Sequence, residues 1–168
     1  MLFRSVGCLP ALNAQPKVPQ GTRALLAQEI RNFRAGHYTL SIQACGGGSS
    51  RQIFEEFFLK HFTCRLVYYR HTEATKNPLK WQEAASAPFR PEFADVAEKY
   101  QKVELAHLFD SRTPNVNFAV GLGFGVAVVV EKTSAGVLEL PAGTRAFIRI
   151  DDVQLVFNPR LRNDDVQV

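Results

Sequence analysis

The sequence predicts an α/β domain, a mixed sheet with flanking helices, followed by a C-terminal antiparallel β extension. Residues 38–44 alternate apolar and polar side chains, which is typical of a half-buried strand. Residues 51–62 repeat apolar side chains at steps of three and four, which indicates one face of a helix. Residues 125–157 contain four short β-forming runs separated by turn-forming residues, which predicts the β extension.

We divide the 168 residues into three segments. Residues 1–20 are expected to form a basic arm or targeting segment, because the first acidic residue is Glu29 and such a start is similar to a mitochondrial targeting segment. Residues 21–112 are expected to form the α/β domain and residues 113–168 the β-rich extension. The chain is long enough for one domain with a full hydrophobic core.

The domain begins with a predicted helix over residues 22–33. Thr22 is a suitable N-cap for this helix. Its apolar residues lie at helical spacing: Leu25, Leu26, Ile30 and Phe33. We expect Gly36 to end the helix and to lead into the strand at 38–44.

A run of glycines follows this central strand. Gly46, Gly47 and Gly48 predict a turn, because glycine adopts backbone conformations that are closed to other residues. Ser49 or Ser50 can then accept a hydrogen bond from the first free N–H groups of the helix. Such a turn can hold a phosphate, but the lysine of a P-loop is missing here.

The rest of the domain is predicted from shorter patterns. Residues 63–70 alternate and predict a strand parallel to the first, joined to it by a right-handed crossover. Residues 71–91 contain three prolines and predict a long loop. Residues 92–100 have helical spacing, and residues 103–109 predict another strand.

The β extension is predicted as an antiparallel meander. The acidic pair at 151–152 separates two of its β-forming runs and is interpreted as a turn. In the run before that pair, Arg145, Phe147 and Arg149 are spaced two residues apart, so they share one face of a strand.

The glycine turn also resembles a known family. GGGSSR at 46–51, between a strand and a helix, is similar to the Gly-x-Ser-Ser-Arg turn of a thioredoxin-like domain without redox chemistry. Several mitochondrial ribosomal proteins and a small accessory subunit of respiratory complex I share that domain. Glu55 also matches, four residues beyond Arg51, and 96–100 is similar to a family strand that precedes a hairpin. The resemblance covers about residues 21–109.

The resemblance implies a thioredoxin-like fold and a function. It implies a structural constituent of the large subunit of the mitochondrial ribosome, in the matrix. The expected partners are mitochondrial rRNA and other large-subunit ribosomal proteins, within a large hetero-assembly. We expect no membrane span, because no apolar run is long enough to cross a bilayer.

The charge distribution favours a polyanionic or acidic partner on one side. Residues 1–70 carry nine Lys and Arg against three acids, a formal charge of +6, while the whole chain carries +4. Arginines in this half can hold RNA phosphates or merely keep the surface soluble. The expected RNA or partner contacts are Arg23, Arg31, Arg34, Arg51, Arg65 and Arg70, with Gly46, Gly47, Gly48, Ser49 and Ser50 as the turn at the helix N-terminus.

We expect no enzyme activity, no cofactor and no metal. The four histidines are scattered, and no paired-cysteine or other catalytic motif is present. The three cysteines fit a reducing compartment. Two alternatives stay open: an accessory subunit of respiratory complex I, or a one-cysteine thioredoxin-like oxidoreductase that uses Cys45.

Overall fold

A computed structural model shows that the chain folds as a β-sandwich. Two antiparallel sheets of four strands each face one another, and a third sheet of two strands lies beside them. The structure describes residues 7–8, 17–30, 36–70, 82–94, 100–109, 124–139 and 143–158. Within these residues no helix is both long and apolar enough to cross a membrane.

The elements follow one another in a fixed order. In chain order they are β1 (Gly7–Cys8), β2 (Lys17–Pro19), β3 (Arg23–Ile30), β4 (Gly36–Gly48), helix α1 (residues 51–61), β5 (Phe62–Arg70), β6 (Gln82–Phe89), β7 (Gln101–Phe109), β8 (Phe124–Lys132), β9 (Val137–Glu139) and β10 (Ala146–Asn158). We call β1-β10-β4-β7 the front sheet and β3-β8-β5-β6 the back sheet, while β2 pairs with β9.

The core lies between the two sheets. In the front sheet, Leu40 of β4 is paired with Leu155 of β10 and Leu105 of β7. In the back sheet, Val128 of β8 is paired with Leu26 of β3 and with a leucine of β5. The inward side chains of both sheets are buried in one cluster. Apolar burial of this kind is the main stabilising contribution to the fold.

Aromatic rings fill one end of this core. The ring centroids of Tyr68 and Phe109 lie 5.4 Å apart, and those of Phe109 and Phe124 lie 4.5 Å apart. The Tyr68 hydroxyl donates to the Leu105 carbonyl at 3.4 Å. Burial raises the pKa of Tyr68, and it raises the pKa of the Cys64 thiol on the same strand to about 12.

Helix α1 closes the other end of the sandwich. It consists of an α turn (Arg51–Ile53), a π segment (Phe54–Phe58) and a second α turn (Leu59–His61). Phe54 stacks on Phe58 at 4.9 Å, and Phe58 stacks on Phe62 at 5.2 Å. The predicted apolar helix face is therefore confirmed, and it packs into the sandwich core.

The predicted thioredoxin-like α/β fold is wrong. The expected leading helix at 22–33 is strand β3, which pairs with β8 over its whole length. Both faces of β3 pack on apolar groups, because Leu26 contacts the core and Leu25 contacts a second cluster on the outer side of the back sheet. A strand that is apolar on both faces loses its period-two pattern, so its sequence resembles that of a helix.

The predicted parallel pairing is also wrong. The strands at 38–44 and 63–70 exist, within β4 and β5, but they lie in different sheets. Helix α1 carries the chain from one sheet to the other, so no βαβ unit forms. The strand at 103–109 is confirmed within β7, whereas residues 82–89 form β6 inside the stretch predicted as a loop.

The C-terminal runs are not a separate extension. β8 lies between β3 and β5, and β10 lies between β1 and β4, so each is an inner strand of a main sheet. The predicted meander is therefore wrong. The two runs on either side of residues 151–152 belong to one continuous strand, β10.

Candidate functional site

Of the six arginines predicted to contact RNA or partners, those that the structure describes lie on the back sheet and on helix α1. Arg23 lies exposed on β3, and Arg65 lies on β5 of the same back sheet. Arg51 begins helix α1, and Arg70 ends β5. Arg31 and Arg34 lie outside the described residues.

Two of these arginines are engaged by carboxylates. Arg65 Nη1 lies 2.6 Å from both carboxylate oxygens of Glu83, and its Nη2 lies 3.9 Å from Glu131. Arg51 Nη1 lies 3.6 Å from Glu55, and its guanidinium lies 5.2 Å from the centre of the Phe93 ring. These ion pairs reduce the positive charge that the back sheet and helix α1 present to a polyanion.

The glycine run predicted as a turn is the end of strand β4. Gly46 pairs with Ile148 and Gly47 pairs with Phe147 of β10. A Cβ atom on Gly46 would overlap the Phe54 ring, and one on Gly47 would lie 2.5 Å from the Phe147 ring. The two glycines therefore let aromatic rings lie against opposite sides of the strand.

The two serines after the glycines bond to the protein's own backbone. The Ser50 hydroxyl accepts from the Ile53 N–H at 3.1 Å, which confirms the predicted helix cap. The Ser49 N–H donates to the Arg145 carbonyl at 2.9 Å, and the Ser49 hydroxyl accepts from the Arg145 N–H at 2.8 Å. These bonds join the end of β4 to the start of β10.

Cys45 lies in strand β4 and is fully buried. The oxidoreductase alternative needs a thiolate that a substrate can reach. The structure instead buries Cys45 within an inner strand of the front sheet, between β10 and β7.

The outer surface of the front sheet, which we call the front face, holds a polar depression. Its volume is about 280 Å³, and three strands contribute to it. The lining residues are Ser41, Ile42 and Gln43 of β4, Lys102 of β7, and Asp152 and Gln154 of β10. Pairing brings them together, because Gln43 lies between Asp151 and Lys102, and Ser41 lies beside Gln154.

A β-bulge places Asp152 in this depression. The register with β4 shifts between Asp151 and Gln154, so β10 carries an extra residue at this point. Asp152 has a φ of 50°, a left-handed conformation that favours glycine. The Asp151 carboxylate accepts from the Asp152 N–H at 2.8 Å and so holds the bulge.

The depression offers both hydrogen-bond donors and hydrogen-bond acceptors, and its charged groups include a cation and an anion. The Gln43 and Gln154 amides are exposed, and Ser41 is 8% exposed. Lys102 lies 2.8 Å from Glu104 on the same strand. Amide, hydroxyl, ammonium and carboxylate groups within one depression suit a ligand that itself both donates and accepts.

Sequence reasoning alone misses these residues. Its one available signal is the acidic pair at 151–152, which is interpreted as a turn between two strands. Only the pairing of three distant segments brings Gln43, Lys102 and Gln154 together. Among the described residues, no group of three or more His, Cys, Asp or Glu is arranged to hold a metal ion.

Comparisons with known proteins give a distant structural likeness and no match in sequence. No protein-family model matches the chain, and no curated protein matches it. A similar solved structure is described as "CBM4 structure and function". It is 15% identical, the match covers 84% of this chain and 81% of that one, and the TM-score is 0.46. A likeness at this level supports no conclusion about what this chain binds.

Proposed function

We propose that this chain is a binding module that takes a hydroxyl-rich ligand, a polysaccharide chain, on its front face. The observation that carries the proposal is the polar depression, in which three strands bring Gln43, Lys102 and Gln154 together. A β-bulge in β10 adds Asp152 to the same depression. Two amides, an ammonium group and a carboxylate therefore line one surface depression.

The mixture of groups in the depression favours hydroxyl groups as the recognised feature. A hydroxyl both donates and accepts, so it suits an amide such as Gln43 or Gln154 as well as a carboxylate. Lys102 and Asp152 carry opposite charges within one depression. That balance favours neither a continuous polyanion nor a polycation at this position.

The shape of the front face also suits a chain-like ligand. Ser41 and Gln43 lie two residues apart on β4, so they repeat along the strand at roughly 6–7 Å. A sheet surface is extended in this direction, and it presents side chains at regular intervals. A polymer with repeating hydroxyl groups can contact several of these side chains at once.

Binding of soluble polysaccharides to the full chain tests this proposal. The panel contains a β-glucan, a xylan, a mannan and a pectin, with binding followed by affinity electrophoresis and calorimetry. We expect one of them to bind and the double variant Gln43→Ala, Gln154→Ala to bind it at least about tenfold more weakly. The matched control is Gln28→Ala, since Gln28 is an exposed glutamine on β3 of the back sheet.

Two results would contradict the proposal. One is no binding to any polysaccharide by a folded chain. The other is an equal loss of affinity in Gln28→Ala and in the double variant, because the loss would then have no connection with the front face.

The ribosomal function stays a prediction. It rests on a resemblance whose implied fold this chain does not have, and the complex I alternative rests on the same fold. A mitochondrial rRNA fragment therefore belongs in the binding panel. Salt-dependent binding of that RNA, without binding of any polysaccharide, would favour the ribosomal function over the proposal made here.

A further inference from the structure

We infer that Arg145 and Arg149, on either side of the Phe147 ring, form an anion subsite on the front face. The inference rests on the proposed function and narrows it, because the ligand becomes a polysaccharide that carries carboxylate or sulfate groups. The Arg145 guanidinium carbon lies 5.7 Å from the centre of the Phe147 ring, and that of Arg149 lies 5.3 Å from it. Both distances fall within the usual range of a cation–π contact.

The backbone fixes this cluster firmly. The Phe147 ring lies against Gly47, where a Cβ atom would come within 2.5 Å of it, and Phe147 is only 8% exposed. Ser49 exchanges two hydrogen bonds with the backbone of Arg145, at 2.8 Å and 2.9 Å. Arg149 is paired with Cys45 in the middle of the sheet. A ligand therefore meets two arginines that extend from a fixed backbone on either side of a buried ring.

Arg145 and Arg149 differ from the arginines of helix α1 and β5 in their contacts with acidic side chains. Neither forms a salt bridge with a described Asp or Glu, whereas Arg51 and Arg65 both do. Arg145 is exposed, and Arg149 is half-buried. Two like charges beside one ring repel each other, and an anion bound between them lowers that energy. Guanidinium groups also match the geometry of carboxylate and sulfate oxygens.

The neighbouring acids favour isolated anionic groups over a continuous polyanion. Asp151 follows Arg149 by two residues on β10, so their Cα atoms lie roughly 7 Å apart. Asp151 and Asp152 would repel the next phosphates of an RNA strand that ran along the front face. A polysaccharide can place one anionic group at the arginines and uncharged hydroxyl groups over the polar depression.

A matched pair of ligands tests the subsite. Partially methyl-esterified polygalacturonate carries isolated carboxylates between uncharged sugars, and the fully esterified polymer keeps the hydroxyl groups without any of these charges. We expect the full chain to bind the partially esterified polymer at least about tenfold more tightly than the fully esterified one. In the variant Arg145→Gln, Arg149→Gln this preference is lost, so the two polymers bind with affinities that differ by less than about twofold. The variant Arg145→Lys, Arg149→Lys restores part of the preference.

Chondroitin sulfate and its desulfated form separate the two sources of negative charge. A preference for the sulfated form that the Arg-to-Gln variant abolishes assigns the subsite to sulfate groups. The control is Arg23→Gln, which removes an exposed arginine from the back sheet. Thermal unfolding of each variant shows that it is folded.

The failures of the two proposals are distinguishable. Equal binding of the two members of each ligand pair, with affinity that still depends on Gln43 and Gln154, overturns the subsite and leaves the proposed function in place. Binding of RNA alone, lost in Arg145→Gln, Arg149→Gln, overturns the polysaccharide assignment. An acidic preference that survives in that variant overturns the role of the two arginines.

Discussion

The outer faces of the two main sheets differ in what their side chains do. On the back sheet, Val67, Tyr69 and Val129 are buried in an apolar cluster, and Arg65 is bonded to Glu83. On the front sheet, the outer face holds the polar depression, and two guanidinium groups lie beside the Phe147 ring. Burial and ion pairing on the back sheet stabilise the fold, whereas the front face presents polar side chains such as Gln43 and Gln154 to solvent.

The largest change in the free energy of unfolding should come from substitution of the buried Tyr69 of the back sheet. Tyr69→Ala removes a side chain that is 1% exposed, and we expect the free energy of unfolding to fall by about 3 kcal/mol or more. Val156→Ala on the front face, where Val156 is 42% exposed, should change it by less than about 0.5 kcal/mol. Urea unfolding measures both, and equal effects would remove the contrast between the faces.

The next largest effect should be a loss of stability of the folded chain at alkaline pH. Burial raises the pKa of Cys64 to about 12, and it also raises the pKa of Tyr69 on the same strand. An unfolded thiol ionises near pH 9, so above that pH the unfolded state binds fewer protons than the folded state and the free energy of unfolding falls. The Cys64 thiol alone should account for about 1 kcal/mol between about pH 8 and about pH 10.

Urea unfolding at those two pH values checks this prediction, with Cys64→Ala as the reference that lacks the thiol. The decrease should be smaller in Cys64→Ala than in the natural sequence. An identical decrease in both chains would show that ionisation of this thiol does not contribute.

Two kinds of arginine should respond differently to the same substitution. Arg65→Gln breaks a two-oxygen contact with Glu83 in which the Arg65 side chain is 23% exposed, so it should cost about 1 kcal/mol of stability. Arg149→Gln should cost less than about 0.5 kcal/mol. Affinity for an acidic polysaccharide should show the opposite order, with a loss only in Arg149→Gln. If both variants lost affinity equally, the front face would not be the specific surface.

The smallest effect on stability is expected at the bulge. Asp152→Gly relieves the left-handed conformation of a residue with a Cβ, so stability should be unchanged or rise by up to about 1 kcal/mol. Affinity for the polysaccharide should fall, because the carboxylate is lost from the depression. Asp152→Asn keeps a side chain of the same size and isolates the effect of charge. A gain in stability with unchanged affinity would show that Asp152 does not contact the ligand.

Local features of the fold can be predicted from the sequence, whereas the pairing of strands with one another cannot. The strands within β4, β5 and β7 and the Ser50 cap follow from alternation and from the chemistry of a single residue. β3 resembles a helix in sequence because Leu25 and Leu26 both pack on apolar groups, on opposite faces. The choice of partner strands depends on contacts between distant segments, and alternation carries no information about it.

The candidate site cannot be predicted from the sequence for the same reason. Gln43, Lys102 and Gln154 meet only because β4 lies between β7 and β10. The sequence places Asp152 in a turn, since a bulge inside a strand resembles a break between two strands. The shared face of Arg145, Phe147 and Arg149 is predictable, because it depends on the period of a single strand.

The most direct test of the front face as a ligand surface is a titration of the isotope-labelled full chain with a soluble pectin oligosaccharide, followed by the backbone amide resonances. We expect shifts concentrated at Ser41, Gln43, Arg149 and Gln154, with little change on β3 and β8 of the back sheet. Shifts confined to the back sheet, or no shifts on addition of a polysaccharide that binds, would contradict the assignment of the ligand to the front face.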